Sequence, residues 1–195
     1  MKTMLTPSVM EAEKKYYGRT YPSFEEADDV DPLREDEIEF IASRDSFYLA
    51  TVTEDGWPYL QHRGGPTGFL KHLEGNQIGF ADYPGNRQMI SVGSVLARDR
   101  VSIFLMDYPN RHRLKLLGNA RVLDAREHSD WVDALAPVGG HASKVERLFV
   151  IDVKSYDWNC PKFITPRYTK EEIEAMVEPL YQRIEELESM LEGRD

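Results

Sequence analysis

Four short stretches of this chain carry side chains able to hold an anion or polarise a small molecule. In YLQHRGG (59–65), the alternation of a strand sets Gln61 and Arg63 on one side and His62 on the other. Gly64 and Gly65 follow, leaving backbone N–H groups open to a flat or anionic group. The longer run QHRGGPTGFLK adds Gly68 and Lys71, with His72 just beyond it. A plain strand ending in a Gly-Gly turn fits the same letters. FADYPGNRQMISVGS (80–94) reads as a strand ending at Asp82, a Pro-Gly turn, and a helix from about Asn86. Asn86, Arg87 and Gln88 would then stand at a helix N-terminus, where free N–H groups and the dipole favour an anion and Arg87 adds a charge-assisted bond. Asn86 as a simple N-cap is the other reading. DYPNRHRLKLLG (107–118) puts Arg111 and His112 at a hairpin tip, and Arg113 and Lys115 on one strand face, a pattern that a solvated edge also gives. DWNCPKFITPR (157–167) holds Trp158, Cys160, Lys162 and Arg167 between prolines. Cys160 lacks a recognisable partner for nucleophilic work and reads as structural.

Whole-chain properties narrow the ligand. Net charge is −10, which argues against general nucleic-acid binding. Residues 56–123 nevertheless carry net +5 and three of the five histidines, leaving −15 elsewhere. A small anion suits such a patch, whereas an extended polyanion would be repelled by its surroundings. Clustering on a solvated face gives the same charges. The five histidines lack HExxH or CxxC spacing, so no dedicated zinc site is expected. GxSxG, P-loop and GxGxxG patterns are missing as well. A single cysteine allows no internal disulfide and points to a reducing compartment. The longest apolar run, VSIFLM (101–106), is too short for a bilayer, and the N-terminus carries no apolar leader, so a cytoplasmic protein without a membrane partner is expected.

These residues need a scaffold, and the middle of the chain reads as strands. Segments 47–53, 57–63, 77–82, 101–107, 112–124 and 147–158 are β-branched, aromatic or alternating. Asp55-Gly56 marks a hairpin, and Gly118 marks a bulge or bend. Helical stretches at 86–98 and 127–136 lie between strands. Six strands with such inserts predict a mainly β fold with α additions, a closed or partly closed antiparallel barrel. Three parts are expected: an N-terminal helical arm (1–45), a barrel (46–167) and a C-terminal amphipathic helix (168–195). The arm holds helices over 8–17, with a Ser8–Glu11 capping box and a Gly18 stop, and over 32–44, with Leu33, Ile38, Phe40 and Ile41 as its apolar side. The C-terminal helix opens on a Thr169–Glu172 capping box, and Pro179 is expected to kink or split it. Ile173, Met176, Val177, Leu180, Ile184, Leu187 and Leu191 recur at three- and four-residue intervals, a stripe for its own barrel or for a second subunit.

From about 40 to 167 the chain resembles the pyridoxamine 5′-phosphate oxidase-like family, the FMN-binding split barrels. The resemblance rests on FYLATVTEDGWPYLQHRGG, GFADYPGNRQMISVG and DYPNRHRLKLLGNARV in this order. It implies that Gln61, His62, Arg63 and Gly64 line a flavin and that Asn86, Arg87 and Gln88 hold its phosphate. Arg113 and Lys115 would stand near the ring. The family implies a homodimer with a flavin site at each subunit boundary, which would bring Trp158 and Arg167 near the partner's flavin. Gln88 stands where the vitamin B6 oxidase itself commonly has lysine, and a Glu-rich helix replaces its terminal substrate segment, so pyridoxine phosphate is not the implied substrate. FMN is the expected cofactor, with deazaflavin F420 or haem as used by other branches. The implied activity is hydride or electron transfer between NAD(P)H and a small acceptor, with a non-catalytic flavin-binding module as the alternative.

Overall fold

Alternation along the central segments becomes a seven-stranded sheet in a computed structural model that describes residues 4–20, 30–85, 87–136, 142–158 and 161–192. Asn86 and Cys160 lie outside the described residues. The strands are β1 (Ser46–Val52), β2 (Pro58–Gly64), β3 (Lys71–His72), β4 (Gln77–Asp82), β5 (Arg100–Asp107), β6 (His112–Asp124) and β7 (Arg147–Trp158). β3 is the strand that sequence reading does not supply, because two residues carry no period. The order across the sheet is β2-β1-β5-β6-β7-β4-β3. β1 buries Phe47, Leu49 and Thr51 and leaves the intervening residues half-exposed, as a one-face strand should. Between Leu117 and Gly118 the β6–β7 register slips by a bulge. Glycine is required there, since a Cβ would come within 2.6 Å of the Asp152 carbonyl oxygen.

The sheet curls. β2 lies first in the order and β4 next to last, yet Arg63 on β2 reaches Asp82 on β4 at 2.7 Å. Phe47 of β1 likewise meets Phe80 of β4, with ring centroids 5.3 Å apart. This is the mainly β, partly closed barrel expected from the strand pattern, and the split barrel that the resemblance implied, with β2 and β4 facing each other across the split. Phe47, Phe69, Phe80 and Phe149 fill the interior with Ile41, Leu49, Ile103 and Leu116. Burial of such side chains stabilises by about 1.5–3 kcal/mol each.

α1 (Pro7–Tyr17) starts with proline in its first turn and stops at Gly18, whose φ of 68° suits a left-handed cap. Its N-cap is Thr6, so Ser8 already lies inside the helix and the expected Ser8–Glu11 box does not form. α2 (Glu35–Ala42) starts three residues later than expected and buries Phe40, Ile41 and Glu37, leaving Ile38 half-exposed. α3 (Ile90–Ala97) starts four residues later than expected, after Met89 in a left-handed conformation with φ of 59°. α4 (Ser129–Leu135) buries Leu135 against Ala81, Leu148 and Val150.

The described chain divides into two compact units: residues 1–106 with 113–160, and residues 107–112 with 161–195. The second holds the 107–112 turn and α5 (Lys170–Glu192). Thr169 and Glu172 form the expected capping box: the Thr169 N–H donates to Glu172 Oε2 at 2.7 Å, and the Glu172 N–H to Thr169 Oγ1 at 3.2 Å. Pro179 does not split α5, which runs unbroken through it. Propagation from long flanking helical stretches is easy compared with nucleation, so one missing N–H is tolerated. Among the described residues, no helix is long and apolar enough to cross a membrane, and no cluster of three metal-ligating side chains occurs.

Candidate functional site: the split of the barrel

The split collects charge because three strands end there. Arg63 is near the end of edge strand β2, Asp82 ends β4, and Arg147 begins β7 directly opposite Asp82 in register. Asp82 is buried and accepts from both arginines, Arg63 Nη1 at 2.7 Å and Arg147 Nε at 2.9 Å. Arg147 also pairs with Glu146 at 2.8 Å. Burial opposes the Arg147 charge, but the bonds and fields of Asp82 and Glu146 outweigh it and raise its pKa. The Arg63 guanidinium lies over the Phe80 and Phe149 rings, 5.6 and 5.4 Å from their centroids. Its Nε is buried and has no hydrogen-bond partner among the described residues. Among the described residues the buried Tyr83 hydroxyl, just past β4, has none either. Two orphaned donors at one opening suit a ligand rich in acceptor oxygens, since a buried donor left unpaired costs about 1–3 kcal/mol.

Two cavities flank this array and share Arg63, Asp82 and Tyr83. The larger, about 400 Å³, is walled by His62, Gly64, Gly65, Phe69 and Phe80. That volume falls in the usual range for small-molecule sites, roughly 300–1,000 Å³. Gly65 shapes the wall: a Cβ there would strike the Phe69 ring at 2.7 Å. The smaller, about 90 Å³, lies beside the first turn of α3 and is lined by Gln61, Gln88, Met89, Ile90 and Ser91 among others. Gln61 is fixed by Ser91, whose hydroxyl donates to its Oε1 at 2.7 Å. The helix start, after the left-handed Met89, lies beside this smaller cavity.

The structure thus places Gln61 and Gln88 on the smaller cavity, His62 and Gly64 on the larger, and Arg63 on both. Arg87 is exposed in the turn before α3 and does not line either cavity. Arg113 and Lys115 do share a face, as read from the sequence. They converge on Asp157, at 3.8 and 3.0 Å, with Arg113 also over the Phe104 ring. Trp158 belongs to the α2 contact. Its indole N–H donates to the buried Glu37 Oε1 at 2.7 Å, and its ring meets Phe40 edge-on at 4.8 Å. Arg167 belongs to the second unit, where its guanidinium lies over the Tyr108 ring at 5.0 Å.

Asp82, Tyr83, Ser91 and Arg147 are the members of the site that sequence reading missed. Asp82 and Arg147 are 65 residues apart and meet only through strand register. Tyr83 and Ser91 lay within a quoted segment but carried no motif.

Among solved structures the chain is similar to a putative pyridoxamine 5′-phosphate oxidase from Lactobacillus delbrueckii, at 16% identity over 64% of this chain and 93% of that chain, with a TM-score of 0.49. It is also similar to General Stress Protein 26 from Bacillus anthracis, at 14% identity over 63% of this chain and 91% of that chain, with a TM-score of 0.48. An FMN-binding protein from Syntrophomonas wolfei matches at 10% identity over 63% of this chain and 86% of that chain, with a TM-score of 0.46. No curated protein matches the chain. Residues 33–157, more than half of the sequence and the whole of β1–β6 with most of β7, match the family profile described as pyridoxamine 5′-phosphate oxidase, and the chain belongs to that family.

Proposed function

We propose that this chain is a flavoprotein that holds FMN at the split of the barrel and passes a hydride or electrons between NAD(P)H and a small acceptor. The observation that supports it most is the pair of orphaned donors, Arg63 Nε and Tyr83 Oη, at an opening of suitable size in a chain of this family. The phosphate would lie toward the first turn of α3, where backbone N–H groups lack helical partners and Gln88 and Arg87 are near in sequence. Such a group carries about −1.5 to −2 charge at neutral pH. Arg63 and Arg147 face it across a single Asp82 carboxylate, with Glu146 offsetting Arg147. FMN, when bound, supplies a ring that takes up or releases a hydride.

The chain's own part is binding and electrostatics. Gln61, locked by Ser91, orients what enters, and a fixed guanidinium stabilises negative charge that grows on the ring. Phe69 and Phe80 keep water from one wall of the larger cavity. In the proposed assembly two copies pair, and Trp158 and Arg167 are candidates to approach the second copy's opening, with Arg113 and Lys115 near the ring. A cytoplasmic setting accords with the single cysteine.

The test is the absorption spectrum of freshly purified protein, then anaerobic addition of NADH or NADPH. A flavin band that bleaches supports the proposal. A flavin band that persists leaves binding without turnover, and a released chromophore of different mass points to F420 or haem. Protein that is colourless, and stays so after incubation with FMN, overturns it.

A further inference from the structure

Every side chain of the apolar stripe on α5 is half-exposed or exposed. Leu187, at 43%, and Leu191, at 66%, bound the five largest aliphatic side chains of the set, Ile173, Leu180, Ile184, Leu187 and Leu191. A surface helix whose apolar stripe meets water gains little from folding unless something covers it.

The spacing says what. Val177, Ile184 and Leu191 recur every seventh residue, and so do Ile173, Leu180 and Leu187, each set offset from the other by three or four. These are the a and d positions of a heptad that runs from Ile173 to Leu191. Such a repeat fits a second helix laid along the seam, and the charges that flank it choose the partner and its direction. Of the four a residues, Lys170, Val177, Ile184 and Leu191, two are β-branched, and two of the three d residues are leucine, the combination that favours two parallel strands; Lys170 stands at the first turn, where a polar a residue costs stability and sets register. Pro179 falls at c, on the outer face, so the hydrogen bond it deletes lies away from the seam.

The flanking charges agree. Arg183 occupies g and Glu188 the following e. A parallel pair sets Arg183 against Glu188 of the partner subunit. An antiparallel pair would instead bring the two Arg183 side chains together and place Glu174 near Glu188 of the partner subunit. Within one chain Arg183 pairs with Glu186 at 2.7 Å, an exposed contact that leaves it near the edge of the seam. Met176 and Met190 at g and Tyr181 at e widen the apolar strip.

We infer that α5 pairs with α5 of a second copy of this chain as a parallel, in-register, two-stranded coiled coil. The test uses the full chain carrying Cys160→Ser, with a new cysteine at d (Leu187→Cys) or at the outer f position (Ser189→Cys). Under mild oxidation the Leu187→Cys chain is expected to form an inter-chain disulfide at least tenfold faster than the Ser189→Cys chain. Adding Arg183→Glu should slow that cross-link, and adding Glu188→Arg as well should restore it. Equal rates, a faster link at 189, or no link at either position overturns the inference. The last result is expected if α5 covers a barrel instead, or pairs antiparallel, which separates the two 187 positions by about 15 Å along the axis. A charge swap without rescue overturns it too.

Discussion

Replacing Asp82 by asparagine keeps the shape of the β4 end and removes the one carboxylate shared by Arg63 and Arg147. The amide can still accept from one guanidinium, but its NH₂ then faces the other, donor against donor. A hydrogen bond to a charged group is worth about 1.5–3 kcal/mol. The Arg63 and Arg147 side chains are 17% and 20% exposed, so solvent relieves part of the penalty, and Arg147 keeps Glu146. One bond lost and one weakened amounts to about 2–3 kcal/mol. For a domain of this size each kcal/mol moves the melting temperature by about 2–4 °C, so Asp82→Asn should melt roughly 4–12 °C lower. The control is Asp124→Asn. Arg126 holds the Asp124 carboxyl well below the usual carboxylate range, yet the Arg126 side chain is 88% exposed, and solvent-exposed pairs contribute little. Differential scanning calorimetry of the three proteins, with an Arg63→Gln, Asp82→Asn cycle to isolate the coupling, reads the result. Asp82→Asn melting within about 2 °C of the parent, or no further than Asp124→Asn, would refute the claim that this carboxylate fastens the split.

Arg87 is exposed, so Arg87→Ala should leave the melting temperature unchanged while weakening FMN binding by about 1.5–3 kcal/mol, read by fluorescence titration. Equal affinity would remove it from the phosphate site. Burial, and then the Glu37 carboxylate, raise the Tyr156 phenol above its ordinary pKa. Folded protein therefore holds this proton more tightly than unfolded protein. Its contribution is complete below the unfolded tyrosine value of about 10 and fades as pH rises through the folded value. Urea midpoints measured from about pH 9 to 11 should fall more steeply for the parent than for Tyr156→Phe. Glu37→Gln leaves either the Trp158 indole N–H or the Arg34 N–H without its acceptor, costing about 1–3 kcal/mol, with a shifted tryptophan emission as the second sign.

What the sequence disclosed follows physical range. β4 and β7 occupy the stretches that their alternation and composition mark, and the Gly118 bulge falls where glycine interrupts β6. The α5 cap was readable because Thr169 and Glu172 are three residues apart and satisfy each other. α3 was misplaced because Asn86 is a good N-cap by type, whereas the helix starts after a left-handed Met89, for which side-chain preference gives no signal. At the site, His62, Arg63 and Gly64 carried a local pattern. The partners that fix Arg63 and Arg147 come from curling of the sheet and strand register, which link residues 19 and 65 apart. For Trp158 the resemblance alone points toward a second subunit, and nothing local in 157–167 reveals the buried carboxylate of α2 that accepts from its indole N–H.

The central claim is that the opening beside Arg63 grips a flavin. Titrating FMN with cofactor-stripped protein, below the melting range of every variant, measures this directly. Saturable quenching at one FMN per chain is predicted, loosened about tenfold or more by Arg63→Gln, the scale of one charge-assisted bond. Unquenched FMN, or the same dissociation constant with and without the guanidinium, would contradict the account.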